Sequence, residues 1–234
     1  MNSVANGKIR ERTPFREVYI QPASGDNGTA LGAALYVQHH LLGQPRRFVM
    51  EHGYWGPEFG DDEIGKVLGA GGEELKEQGG EIRKIEDEEE LCRWTAGRIA
   101  EGKVVGWFQG RMEWGARALG NRSIVADPRR VDMREIINTK IKFREKFRPF
   151  APSVLEEAVH EHFVGAVPDP FMVQVYPVRL DKRDVIPAVT HVDGSGRLQT
   201  VNRAANPRYW QLIKAFEGLT GVPVVLNTSF NENE

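Results

Sequence analysis

Residues 103–124 read KVVGWFQGRMEWGARALGNRSI. The first seven, KVVGWFQ, carry the β-branched and aromatic side chains of a buried strand. The residues after them cannot continue it, because three glycines and the arginines Arg111, Arg117 and Arg122 alternate along a segment too broken for one solvated helix face. That pattern points to an anion site built from loops. Guanidinium forks offer paired donors to phosphate or carboxylate oxygens. Pairing of the same arginines with Glu113 and Asp127 is the structural alternative.

Outward from this stretch, strands and helices mix. Residues 17–21 read as a short strand, 22–28 as a turn and 29–42 as a helix of small and apolar residues. Residues 62–68, 72–78 and 88–101 have helical composition, 134–141 forms a helix after the Asp127-Pro128 break, and 209–217 carries apolar residues on one side. Pro149 and Pro152 force an extended backbone on 149–155. Further strands are expected at 171–178, 198–201 and 222–226, with a hairpin turn at Asp193-Gly194. The fold class is α/β with a mixed sheet.

The chain of 234 residues is ample to bury a core, and 40% hydrophobic with 27% charged residues is a globular composition. No apolar run approaches the ~18 residues of a membrane span. The single cysteine, Cys92, excludes an intramolecular disulfide framework. Residues 1–8 lack the pattern of a signal peptide, so a cytoplasmic protein is expected. The formal net charge of -2 hides two opposed segments. Residues 51–90 hold 14 acidic side chains against four basic ones and read as solvated helix surface, whereas 111–148 hold 11 basic against five acidic. The polar run after the last apolar strand leads us to expect a piece of a longer protein.

Other segments carry chemistry too. In the loop 23–32, Gly25 and Gly28 permit close approach of backbone to a phosphate or nucleotide, and Asp26 suits a hard cation or a ribose hydroxyl. A turn in which Asp26 caps the helix accounts for the same residues. Lys142 and Arg144 share a side if their stretch is extended. Arg197 stands at the mouth of the strand after the Asp193-Gly194 turn, with His191 and Asp193 beside it. Asn227 and Ser229 sit at a strand end, where α/β proteins place ligand contacts. His160 and His162 lack partners at metal-ligand spacing, and the tryptophans lack the basic groove of a nucleic-acid binder.

Together, ASGDNGTALGAAL (23–35), GRMEWGARALGNRSI (110–124), INTKIKFREKFRPFAPSV (137–154), HVDGSGRLQTV (191–201) and VVLNTSFN (224–231) resemble the O-carbamoyltransferases of the nodulation protein U and cephalosporin hydroxymethyl carbamoyltransferase type. The blocks follow the family's order and span nearly the whole chain. The resemblance implies the end of an actin/hexokinase-like transfer domain at 1–44. It implies a YrdC-like domain with a mixed twisted sheet at 45–234, itself lacking its end.

In that family the YrdC-like domain makes carbamoyl-adenylate from carbamoyl phosphate and ATP with Mg. The actin-like domain passes the carbamoyl group to a hydroxyl of a small molecule such as a sugar or antibiotic, assisted by iron or another divalent metal. By resemblance, Lys142, Arg144 and Arg148 hold phosphates, and Arg117 and Arg197 complete the carbamoyl phosphate cradle. Asn227 and Ser229 orient carbamoyl or phosphate oxygens, and Asp26 is the metal ligand whose partner histidines lie upstream. Arg111, Gly25 and Gly28 complete the candidate binding residues. A threonylcarbamoyl-adenylate synthase acting on tRNA and a non-catalytic nucleotide- or anion-binding module are the other readings.

Overall fold

The computed structural model describes residues 2–232. The apolar run at 103–109 forms β1 (Val105–Phe108), and after the arginine-glycine loop the chain returns antiparallel as β2 (Arg122–Ala126), with Phe108 opposite Arg122. β3 (Ala151–Leu155), β4 (Gln174–Pro177), β5 (Ser195–Val201) and β6 (Val224–Ser229) complete one sheet in the spatial order β1-β2-β6-β3-β5-β4. β3 runs parallel to β5 and the other neighbouring pairs are antiparallel, so the sheet is mixed, as expected. β6 is inserted between β2 and β3 and pairs with both. β2 and β3 are buried along their whole length, the pattern of interior strands.

Two helices cover one face. α4 (Glu88–Ala100) and α7 (Pro207–Thr220) pack on each other and on the sheet. Each buries residues at helical spacing: Cys92, Thr95, Ala96 and Ile99 on α4, and Tyr209, Leu212, Ile213 and Phe216 on α7. Asp87 caps α4 by accepting the Glu90 N–H, and Asn206 caps α7 by accepting that of Tyr209. Gly221, at φ 72°, ends α7 in the left-handed conformation. Cys92 is fully buried in this core.

The remaining helices are α1 (Ser3–Arg12), α2 (Asp26–Tyr36, continuing into a π turn at Val37–Leu41), α3 (Asp61–Glu77), α5 (Met133–Lys140) and α6 (Val159–His162). α1 lies along the edge strand β4, where Asn6 Nδ2 donates to Val173 O at 2.9 Å. α3 is exposed except at Gly72, so much of the acidic segment is solvated surface.

Four local expectations are corrected. Residues 17–21 form no strand and take no part in the sheet. The two helices expected at 62–68 and 72–78 are one, its glycines tolerated within α3. The 190–200 segment does turn at Gly194 (φ 78°), but its incoming arm is a short 3-10 turn at Pro187–Val189, and the antiparallel partner of β5 is β4. Residues 142–144 are not extended. The Lys142 and Arg144 amides donate to the Ile137 and Asn138 carbonyls at the end of α5, and Phe143 takes φ 47°. The chain curls, and the two cationic side chains part.

Candidate functional site

The site begins as a polar row buried in the sheet. Ser153 on β3 stands opposite Gln199 on β5 and accepts a hydrogen bond from Asn227 on β6. Ser153 Oγ donates to Gln199 Oε1 at 2.6 Å, and Asn227 Nδ2 reaches Ser153 Oγ and Gln199 Oε1, both at 3.0 Å. Gln199 Nε2 donates to Leu119 O at 2.8 Å, and Asn227 Nδ2 also donates to Ala118 O at 3.1 Å. The row thereby ties the loop after β1 to the sheet.

A cavity of about 180 Å³ opens beside this row. Arg117, Arg144, Arg148 and Arg197 line it together with Asn227 and Ser229, and Phe150 and Met172 supply apolar wall. These six polar residues come from four sequence blocks, and all six were among those singled out. Their placement has local causes. Asn138, buried on α5, accepts from Arg144 Nε at 2.9 Å and donates to the Lys146 and Arg148 carbonyls, fixing the turn that carries Arg144 and Arg148. Arg148 Nε pairs with Glu145 at 2.8 Å, and the Arg144 guanidinium lies over the Phe150 ring.

Lys142 stands one step behind. Fully buried, it donates from Nζ to Ser229 O at 2.6 Å, Ser229 Oγ at 3.1 Å and Asn231 Oδ1 at 2.6 Å. It touches the cavity-lining Ser229 without lining the cavity.

The three arginines of the 110–123 block separate. Only Arg117 lines the cavity. Arg122 is buried, donates to the Gln109, Asn121 and Gly110 carbonyls, and lies 3.5 Å over the Phe108 ring. Its burial lowers its pKa, with Glu113 and Glu58 opposing the shift. Arg111 is exposed, donating to Gly56 O and facing Glu58 at 3.8 Å. Glu113 is held by the loop itself: its Oε1 accepts the backbone N–H groups of Leu119, Asn121 and Arg122 at 2.7, 2.8 and 3.2 Å.

Gly25, Asp26 and Gly28 lie elsewhere. Gly25 precedes α2, Asp26 opens it and is exposed, and Gly28 closes a tight turn in which a Cβ would stand 2.0 Å from Ala23 O. The same helix start lends Ala30 and Leu31 to an apolar cavity of about 290 Å³ with Phe48, Met50, Trp55 and Trp114. Among the described residues no three His, Cys, Asp or Glu side chains cluster to hold a metal ion. Asp26 alone does not make a metal site.

The carbamoyltransferase C-terminus family model matches residues 96–234, and the carbamoyltransferase N-terminus model matches 1–35. The chain belongs to the carbamoyltransferase family. It is 48% identical to nodulation protein NolNO of Sinorhizobium fredii over 99% of this chain and 34% of that protein. It is 44% identical to nodulation protein NolO of Bradyrhizobium diazoefficiens over 99% and 42%, and 33% identical to nodulation protein U of Rhizobium fredii over 99% and 36%. The chain thus spans 34% to 42% of the length of these relatives. Among solved structures, Sua5 of P. abyssi complexed with L-threonine superposes with a TM-score of 0.43 at 18% identity, over 63% of this chain and 40% of that one, a likeness too low to carry an argument.

Several residues that shape the cavity of this family member were not singled out from sequence. Ser153, Gln199 and Asn138 are three of them, and Glu113 was read only as a partner for the arginines. Asp169 is another: buried, it accepts the N–H groups of Val173 and Gln174, bending the chain so that Met172, at φ 55°, reaches the cavity. Burial pushes its carboxyl up to about 6, although those backbone donors pull the other way. The flanking Pro168 and Pro170 are the one sequence signal of this turn. Burial also lowers the His191 imidazole, assisted by Arg197 and Arg134 against Asp193.

Proposed function

We propose that this chain is the carbamoyl-activating part of an ATP-dependent O-carbamoyltransferase and that the arginine-lined cavity binds carbamoyl phosphate. The observation that carries this reading is the meeting of four guanidinium groups, from Arg117, Arg144, Arg148 and Arg197, on one cavity bordered by Asn227 and Ser229. A phosphate dianion is the ligand such a cluster satisfies, each fork supplying charge-assisted hydrogen bonds. At about 180 Å³ the space falls below the ~300–1,000 Å³ of drug-sized pockets, which suits a small acyl phosphate.

In this reading Arg117 and Arg197 hold the phosphate, with Arg144 and Arg148 closing the opposite wall. Lys142 acts through Ser229, fixing the end of β6. Water releases orthophosphate from carbamoyl phosphate, and a carbamate oxygen then attacks the α-phosphorus of ATP, forming carbamoyl-adenylate and expelling pyrophosphate. Two polyanions must approach for this, and the fixed cations offset their repulsion. ATP and its Mg ion need space beyond the cavity. We assign residues 1–44 to a transfer domain and 45–234 to a YrdC-like domain, with a small-molecule hydroxyl as acceptor and the cytoplasm as location. Any iron or other metal at Asp26 would draw its remaining ligands from outside these residues. No helix among the described residues is long and apolar enough to cross a membrane.

Calorimetric titration with carbamoyl phosphate tests the cavity. Arg117→Ala and Arg197→Ala each weaken binding by about tenfold or more, since a charge-assisted bond contributes ~1.5–3 kcal/mol. Absence of binding to the unaltered chain overturns the reading. In a full-length member of the family, ATP should yield pyrophosphate only when carbamoyl phosphate is present.

A further inference from the structure

Arg117 stands between two anchors that come from one short segment. Three residues before it, the Trp114 N–H donates to Gly53 O at 2.6 Å. Two residues after it, Leu119 O accepts from the Tyr54 hydroxyl at 2.8 Å. Neighbouring residues, Gly53 and Tyr54, thus hold both sides of the turn that carries a cavity arginine. Met112 extends the pairing, accepting the Gly56 N–H and donating to Pro57 O, both at 2.9 Å. Residues 53–57 lie outside the five sequence blocks that carry the family resemblance.

The direction of the Tyr54 bond is settled by its neighbours. Asn206 Oδ1 accepts the Tyr209 N–H, which can only donate, so Asn206 Nδ2 faces Tyr54 and donates to the hydroxyl oxygen at 2.9 Å. The hydroxyl hydrogen is left for Leu119 O, which can only accept. Burial raises the pKa of this hydroxyl, the Asn206 bond lowers it by less and Glu113 raises it, so the group stays a donor at neutral pH. Leu119 O also accepts from Gln199 Nε2 at 2.8 Å, and one carbonyl joins Tyr54, β5 and the arginine turn.

We infer that Tyr54 is a positioning residue for Arg117, fixing the 114–119 turn so that the guanidinium meets the phosphate. This rests on the carbamoyl phosphate reading and adds what aims one of its arginines. Tyr54 does not line the cavity and acts through the Leu119 carbonyl. A binding side chain is only as well placed as the backbone that carries it, and that backbone is held by the hydrogen bonds behind it. Gly115, at φ 132°, lies between the Gly53 anchor and Arg117, and its conformational freedom is what the two anchors restrict.

The test is a double-mutant cycle read by calorimetric titration with carbamoyl phosphate. Tyr54→Phe keeps the ring, removes the hydroxyl and should weaken binding by about threefold to tenfold. With Arg117→Ala already in place, Tyr54→Phe should change the affinity by less than about twofold, because the side chain it positions is gone. A merely structural tyrosine costs the same factor in both backgrounds. That additive result, or unchanged binding in Tyr54→Phe, overturns the inference and leaves the phosphate cradle standing. Hydrogen exchange of the unaltered chain needs no variant: by reciprocity, carbamoyl phosphate should slow exchange of the Trp114 and Gly56 N–H groups, and unchanged rates in the bound chain also overturn the inference. Failure of the unaltered chain to bind overturns the carbamoyl phosphate reading and this inference with it.

Discussion

The Lys142 ammonium donates to the carbonyl oxygen of Ser229 at 2.6 Å, joining the turn after α5 to the last residue of β6. A charged donor fully out of solvent and set on oxygen acceptors is a structural tie as much as a functional group. Lys142→Met should therefore lower stability by about 1–3 kcal/mol and also weaken carbamoyl phosphate binding. Urea unfolding and calorimetry measure the two losses. Lost binding at unchanged stability would show that the lysine meets the ligand directly.

Glu113 closes the loop that carries Arg117 by accepting three backbone N–H groups on one carboxylate oxygen. Glu113→Ala leaves those donors without their acceptor and should cost about 1–3 kcal/mol. Glu113→Gln keeps an oxygen in place and should lose less. Unfolding midpoints should rank wild type, Gln, Ala, and binding of inorganic phosphate should follow the same order.

Asp169 makes stability depend on pH in an identifiable direction. Its carboxyl lies above its ordinary value of 3.8, at about 6, so the native state holds the proton more tightly than the unfolded chain does. The stabilisation from that proton is complete below about pH 4 and is lost as pH rises through about 6. Asp169→Asn removes the ionisation, so the variant should gain on the wild type between pH 4 and pH 7, by ~3 kcal/mol at most. Urea titrations at both pH values check this, and an equal difference at each would refute it.

Two glycines should respond in opposite ways. At Gly120 (φ 102°) a Cβ would stand 2.2 Å from the Tyr209 ring, whereas at Gly218, inside α7, nothing lies within 4 Å. Gly120→Ala should destabilise by ~2 kcal/mol or more, through overpacking and strained backbone. Gly218→Ala should raise stability by ~0.5–1 kcal/mol, the ordinary helix preference for alanine. Thermal unfolding of the two variants makes the comparison.

The cavity was legible in the sequence where side-chain chemistry alone marks a residue. Arg117, Arg144, Arg148, Arg197, Asn227 and Ser229 are charged or polar groups in loop or strand-end contexts, and the fold gathers them. Where the division depends on tertiary neighbours, sequence could not make it. Arg111, Arg117 and Arg122 look alike in one block, yet pairing with β1 buries Arg122 against carbonyls, and the loop around Gly56 and Glu58 takes Arg111. Glu113 was read as a partner for the arginines and Asp169 escaped notice, because the partners of both are backbone amides, which no residue pattern reveals. The strand expected at 17–21 does not form; alternation describes a strand's faces and says nothing of its pairing.

The insertion of β6 also orders events in time. β2 and β3 leave the ribosome about a hundred and about seventy residues before the strand that must lie between them. Until residues 224–229 arrive, both carry an unpaired apolar edge, the kind of surface on which chains associate wrongly. The strand that ends this exposure is the one bearing Asn227 and Ser229, so the cavity gains that wall only once the sheet is complete.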